Sequence, residues 1–231
     1  MTLDFAFLLA GPQAAQLAAG LATTFRLFAG AWLLAVAFAV ALAVLRAAPL
    51  RPARWLVAAI VEYHRNVPLM VQVLIWYFGV PQMLPTALRI WVNHQDSEFL
   101  FALIALALNT GAFMSEDIRS GIRAIPPTQM EAARSLGLRF LPAMRLVILP
   151  QALRIAVPPM LNQTLMLFKN TSLAMAIAVG ELTYRVREIE SETYRTFEIF
   201  LLATVIYLTM SFTLMGLGAW FARRFPPLVR A

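Results

Sequence analysis

The chain has 231 residues, 61% of them hydrophobic, a mean hydropathy of +0.72 and a formal net charge of +7. That composition leaves too little polar surface to dress a soluble globule, so part of the solvent around the folded chain must be lipid. The absence of cysteine excludes a disulfide framework and a thiolate metal site. The arginines collect in particular loops instead of forming one face interleaved with aromatics, which argues against nucleic acid as a partner.

In chain order, Met1 to Gly20 lacks the positive start of a signal peptide, and its apolar run from Phe5 to Ala10 ends at Gly11-Pro12, so this segment is expected to stay on the mature chain. No charge interrupts Leu27 to Leu45, close to the roughly 20 residues that cross a bilayer, and Arg26 and Arg46 bracket this first span. Arg46, Arg51 and Arg54 follow in a short loop, which by the positive-inside tendency is cytoplasmic and places the N-terminus outside. A second span runs from about Trp55 to Val80, kinked at Pro68, with Glu62 and Arg65 spaced to pair on one face. Pro81 to Glu98 reads as an external loop, with Trp76, Tyr77 and Trp91 at the membrane interface. Phe99 to Met114 is the apolar part of a third span, followed by Arg119, Arg123, Arg134, Arg139, Arg145 and Arg154 on the cytoplasmic side. Ile155 to Val179 forms the fourth span, the acid-rich loop Glu181 to Glu192 returns outside, and Phe197 to Phe221 is the fifth, ending at Arg223-Arg224. The expectation is an all-α polytopic membrane protein with five transmembrane helices in a single domain, residues 1–231, and a cytoplasmic C-terminus.

The loop between the third and fourth spans carries the most pattern. Pro126-Pro127 stops the preceding segment, and Thr128 stands three residues before Glu131 in the spacing of a capping box, so a short helix is expected to begin here. Gly137 supplies the residue that ends it, and Leu138, Phe140, Leu141, Met144 and Val147 form a second apolar stripe. Ala132 and Ala133 are small enough to let the helix sink into a groove on another protein, with Met130 and Leu136 as larger contacts. The alternative is an ordinary amphipathic connector, because capping boxes are common.

The run Glu131-Ala132-Ala133, three residues, Gly137, nine residues, then Val147-Ile148-Leu149-Pro150 resembles the cytoplasmic signature of permease subunits of bacterial ABC importers. His64 to Leu69, Trp76-Tyr77-Phe78, Asn109 to Phe113, Arg119 to Ile122 and Lys169 to Leu173 are similar to the polar amino-acid branch, and Arg65 to Gln72 with Pro81 to Pro85 to its glutamate and aspartate subgroup. The resemblance covers about residues 21–225. It implies a MetI-like permease fold in the bacterial inner membrane, with residues 126–150 as a coupling-helix loop in which Glu131, Ala132, Ala133, Gly137, Leu149 and Pro150 face a separate ATP-binding ABC ATPase. It also implies a second permease subunit, identical or homologous, an external amino-acid-binding protein that delivers the substrate, and no cofactor.

Chemistry inside the chain is sparse. The only lysine, Lys169, is not in a phosphate loop, so ATP hydrolysis must belong elsewhere, and His64 and His94 fall on opposite sides and do not build a metal site or triad. Both histidines read as loop or interface residues. An ionisable group at membrane depth is costly unless it faces a cavity or partner. Lys169, beside Asn170, Thr171 and Ser172, therefore reads as part of a substrate path that breaks its helix locally and offers a cation, an amide and hydroxyls to a zwitterion. The competing reading pairs Lys169 with Glu181 as a structural bridge. Asn109 and Thr110 are weaker path candidates that often merely bridge helices. Glu116 and Asp117 are expected to pair with Arg119 or Arg123, and Gly216 and Gly218 to mark close helix packing. A self-contained ion-driven secondary transporter is the alternative class; it calls for midplane acids and repeated halves, and five spans do not divide in two.

Overall fold

The computed structural model describes residues 5, 11–47 and 50–224; most of the N-terminal apolar run, residues 6–10, lies outside the described residues. Among the described residues every regular element is helical. α1 is Pro12–Ala47, α2 Arg51–Asn66, α3 Leu69–Met83, α4 Thr86–Asn93, α5 Ser97–Arg123, α6 Pro127–Ser135, α7 Leu149–Asn170, α8 Leu182–Thr193 and α9 Thr196–Arg224. Four stretches, Pro12–Arg46, Ser97–Arg123, Phe140–Ile177 and Thr196–Arg224, are long and apolar enough to cross a membrane, and α3 is a shorter apolar helix. The fifth crossing, expected as one kinked helix, is in two pieces.

The break follows from Pro68. Its ring disfavours the helical conformation at Val67, which is extended at φ −91° and ψ 130°. The carbonyls freed by the break, buried at His64 and partly buried at Val67, find side-chain donors: Gln72 Nε2 donates to His64 O at 3.0 Å and to Val67 O at 2.7 Å, and Asn109 Nδ2 donates to His64 O at 2.7 Å. The His64 ring closes the cluster through Nδ1 to Gln72 Oε1 at 2.7 Å, so His64 is a core residue and not the loop or interface residue expected.

α5 is the central helix, packed on α1, α7, α2 and α3. Its Asp96 caps the first turn by accepting from Phe99 N at 3.1 Å. Small residues let the backbones close up: a Cβ on Gly111 would lie 2.7 Å from Ala35 O on α1, and one on Gly121 would lie 2.5 Å from Ala152 O on α7. Ala31, Ala35 and Ala39 are fully buried on that face of α1, the geometry expected where lipid supplies no hydrophobic drive and packing does. Gly218 of α9 faces the Leu161 side chain, where a Cβ would make an ordinary contact at 3.4 Å, and Gly216 has nothing within 4 Å, so neither glycine brings two backbones together as expected.

Other local expectations are also revised. Pro81 to Glu98 contains α4, and the acid-rich stretch Glu181 to Glu192 is helical as α8, lying against α1 and α9, because Glu181 caps it from within. Glu62 accepts from Asn66 and does not pair with Arg65, whose guanidinium sits 5.5 Å over the Phe113 ring. Glu116 pairs with Arg119 as expected and also with Arg46, clamping the end of α1 to α5. Asp117 lies against Gln163 with Arg65 nearby and pairs with neither Arg119 nor Arg123.

Candidate functional site

At the basic end of the bundle, α6 starts on Pro127 at its first position, and no side chain caps it. Proline there has no N–H to satisfy and a preset φ, so Thr128 falls inside the first turn and the expected capping box with Glu131 does not form. The other end is closed as foreseen. Gly137 has φ +83°, its N–H donates to Arg134 O at 2.9 Å, and Leu138 N donates to Ala133 O at 3.2 Å, the paired bonds of a left-handed helix stop. Glu131 and Ala132 point outward and Leu136 is 84% exposed. Ala133 is buried and Met130 packs on Ile125, Ile148 and Ala152, so these two face the chain's own core and not a partner. Leu149 and Pro150 begin α7, and Gln151 Nε2 donates to Val147 O at 2.9 Å and reaches Gln129 Oε1 of α6 at 3.4 Å. The loop helix and the start of α7 are thus one packed unit.

The far end of α7 carries the polar cluster. The backbone tightens from α to 3₁₀ at Thr171, a narrower coil that runs to Ile177 and stops at Ala178, a non-glycine residue with φ 64°. Thr171 is fully buried with its hydroxyl donating to Phe168 O at 2.7 Å, and Ser172 Oγ donates to Lys169 O at 2.8 Å. Lys169 is exposed in the last turn of α7 and shares an open groove of about 440 Å³ with Ser172, Thr183, Thr204, Tyr207 and Ser211. Directly behind the groove, Glu181 is fully buried. It accepts from Tyr184 N at 2.8 Å, Thr183 N at 2.9 Å and Tyr207 Oη at 3.2 Å. Lys169 is not among its partners, so the structural bridge is absent. Burial pushes the Glu181 carboxyl up from its ordinary value, opposed by the two amides at the helix start.

The structure therefore brings Lys169, Ser172 and, one layer behind, Glu181 together. Asn170 lies at the turn, and Asn109 and Thr110 sit apart in the buried face of α5, where Asn109 serves the break at Pro68. Sequence reasoning missed Thr204, Tyr207 and Ser211. Their spacing of three and four residues puts hydroxyls on one face of an otherwise apolar helix, a signal that was readable. Among the described residues no cluster of His, Cys, Asp and Glu fits a metal ion.

Residues 34–226 match the family model described as the binding-protein-dependent transport system inner membrane component, and the chain belongs to that family: it is a multi-pass inner-membrane transport subunit, with ATP hydrolysis left to a separate subunit. It is 38% identical over 175 residues, 76% of this chain and 77% of the relative, to the probable glutamine ABC transporter permease GlnM of Bacillus subtilis. It is 31% identical over 200 residues, 85% of this chain and 81% of the relative, to the glutamate/aspartate import permease GltJ of Escherichia coli K12. A crystal structure of an amino acid ABC transporter with histidines superposes with a TM-score of 0.85 at 32% identity, over 97% of this chain and all of that one.

Proposed function

We propose that this chain forms the membrane path of an ATP-driven importer for a polar amino acid of the glutamine, glutamate and aspartate kind. The observation that carries the proposal is the continuous link from α6 to the Lys169 groove. A left-handed stop at Gly137 presents Glu131, Ala132 and Leu136 outward, Gln129 and Gln151 tie that helix to the start of α7, and α7 runs without interruption to Lys169. Docking of an ATPase on Glu131, Ala132, Leu136 and the adjoining Gly137, Leu149 and Pro150 moves α7 as a body, and Ala133 acts by seating the helix. In the groove the Lys169 ammonium attracts the substrate carboxylate, the hydroxyls of Ser172 and Thr204, whose protons go to backbone carbonyls, accept from the substrate ammonium, the Ser211 hydroxyl adds a further polar contact, and Glu181 holds Tyr207 and Thr183 in place. Asn170 and Thr171 set the turn that orients Lys169, while Asn109 and Thr110 line the interior of α5.

The N-terminus lies outside and the C-terminus in the cytoplasm, because Arg46, Arg119, Arg123, Arg154 and Arg223 gather at the α6 end. An external binding protein delivers the substrate at the opposite end. A second permease copy and membrane lipid cover the apolar face of α9, where Phe197, Val205, Phe212 and Met215 are exposed. Uptake of labelled glutamine and glutamate in a strain lacking this gene tests the substrate class. Restored uptake competed by unlabelled polar amino acids is expected, and competition by apolar amino acids alone would contradict it.

A further inference from the structure

Arg46 at the end of α1, Arg51 and Arg54 in the first turn of α2, Trp55 and Ala58 line an open recess of about 450 Å³ at the α1–α2 corner. Arg46 shares its guanidinium with Glu116, but that carboxylate is also held by Arg119. Arg51 and Arg54 are exposed and have no carboxylate partner among the described residues. The next acid along α2, Glu62, is bonded to Asn66, and Arg119 and Arg123 flank the adjoining recess beside Arg46. The corner is therefore strongly positive.

Its surroundings are apolar. Trp55 is 78% exposed, and the aliphatics next to the arginines along the chain are exposed as well: Val44 and Leu45 before Arg46, Leu50 before Arg51 and Leu56 after Trp55. An exposed tryptophan between aliphatic side chains and arginines is the arrangement found at headgroup depth, with aliphatics toward the acyl chains and guanidinium groups toward the phosphates.

We propose that this corner binds the phosphate headgroup of an anionic phospholipid in the leaflet on the α6 side. Guanidinium forks match phosphate oxygens in pairs, and a headgroup without its own ammonium meets no repulsion from three arginines. The exposed aliphatics commit the site to lipid over an acidic protein surface or a free anion, neither of which covers them. The lipid bridges α1 to α2 and sits beside the Arg46–Glu116 clamp, so it bears on the packing of α5. The inference rests only on the membrane-spanning reading and not on the substrate or the ATPase.

The test uses the full chain purified in mild detergent with equal phosphatidylglycerol and phosphatidylcholine, and retained lipid is read by native mass spectrometry. The wild type retains phosphatidylglycerol preferentially. The double variant Arg51→Gln with Arg54→Gln loses about twenty- to thirtyfold of that preference, at about fivefold per arginine near an anionic surface. Arg51→Lys with Arg54→Lys keeps most of it, and Arg187→Gln at the other end leaves it unchanged. Equal retention of both lipids by the wild type, unchanged preference in the double glutamine variant, or displacement of the lipid by millimolar inorganic phosphate would overturn the proposal.

Discussion

Gly137 is the position where one substitution tests the coupling geometry with the least collateral change. At φ +83° it occupies the left-handed region, and a Cβ placed there meets nothing within 4 Å, so any cost is conformational and not a collision. For an L-residue that cost is about 1–2 kcal/mol, toward the upper end for a β-branched side chain and small for asparagine. Against it stand the two closing bonds, Gly137 N to Arg134 O and Leu138 N to Ala133 O, at about 1 kcal/mol each. Alanine leaves the stop mostly closed, whereas valine brings the balance to about zero: a shift of about 2 kcal/mol is roughly thirtyfold in the closed-to-open ratio, which leaves about half of the molecules with the stop closed. ATP-driven uptake should therefore fall in the order Asn, Ala, Val, with Gly137→Val reduced by about twofold while membrane insertion and basal ATP hydrolysis persist. Uptake by Gly137→Val at the wild-type rate, or equal losses in all three variants, would refute the reasoning.

Gly121→Ala forces a Cβ to 2.5 Å from Ala152 O, an overpacking cost of about 1–3 kcal/mol; a lower thermal midpoint in detergent is expected, and an unchanged one would deny the close approach of α5 and α7. Gln72→Leu keeps the volume but strands the carbonyl of Val67 and weakens that of His64, at about 1–3 kcal/mol for each buried group left unsatisfied. Folded yield should drop sharply, and normal yield would show that the break at Pro68 does not need its donor. Lys169→Met should abolish uptake while leaving assembly and stability intact, since Glu181 is held by Thr183, Tyr184 and Tyr207. Recovery of uptake on adding Glu181→Gln would point back to a Lys169–Glu181 bridge.

Much of this fold was legible because a bilayer leaves few choices. Long apolar runs gave the crossings, and Gly137 gave the helix stop, since its backbone freedom suits a turn at positive φ. What sequence could not decide were competitions between local options. Pro68 reads as a kink, and a full break prevails because Gln72 and Asn109 reach the freed carbonyls, the latter from 45 positions away. Thr128 to Glu131 reads as a capping box, but Pro127 supplies the helix start without a side chain. The Lys169–Glu181 pairing failed because the carboxylate is taken up by the amides of its own helix, a role invisible while Glu181 to Glu192 is read as loop. Glu131, Ala132 and Ala133 read as one outward surface, and helical periodicity turns Ala133 inward.

The central claim is that ATP hydrolysis on a separate subunit drives a polar amino acid through this chain. The direct measurement is uptake of labelled glutamine and glutamate into proteoliposomes holding the permease, its ATPase and its binding protein, with and without ATP on the α6 side and with ion gradients collapsed. Uptake should require ATP and the binding protein, survive collapse of the gradients and fall about twofold in Gly137→Val. Uptake that persists without ATP and stops when the gradients are collapsed would contradict it.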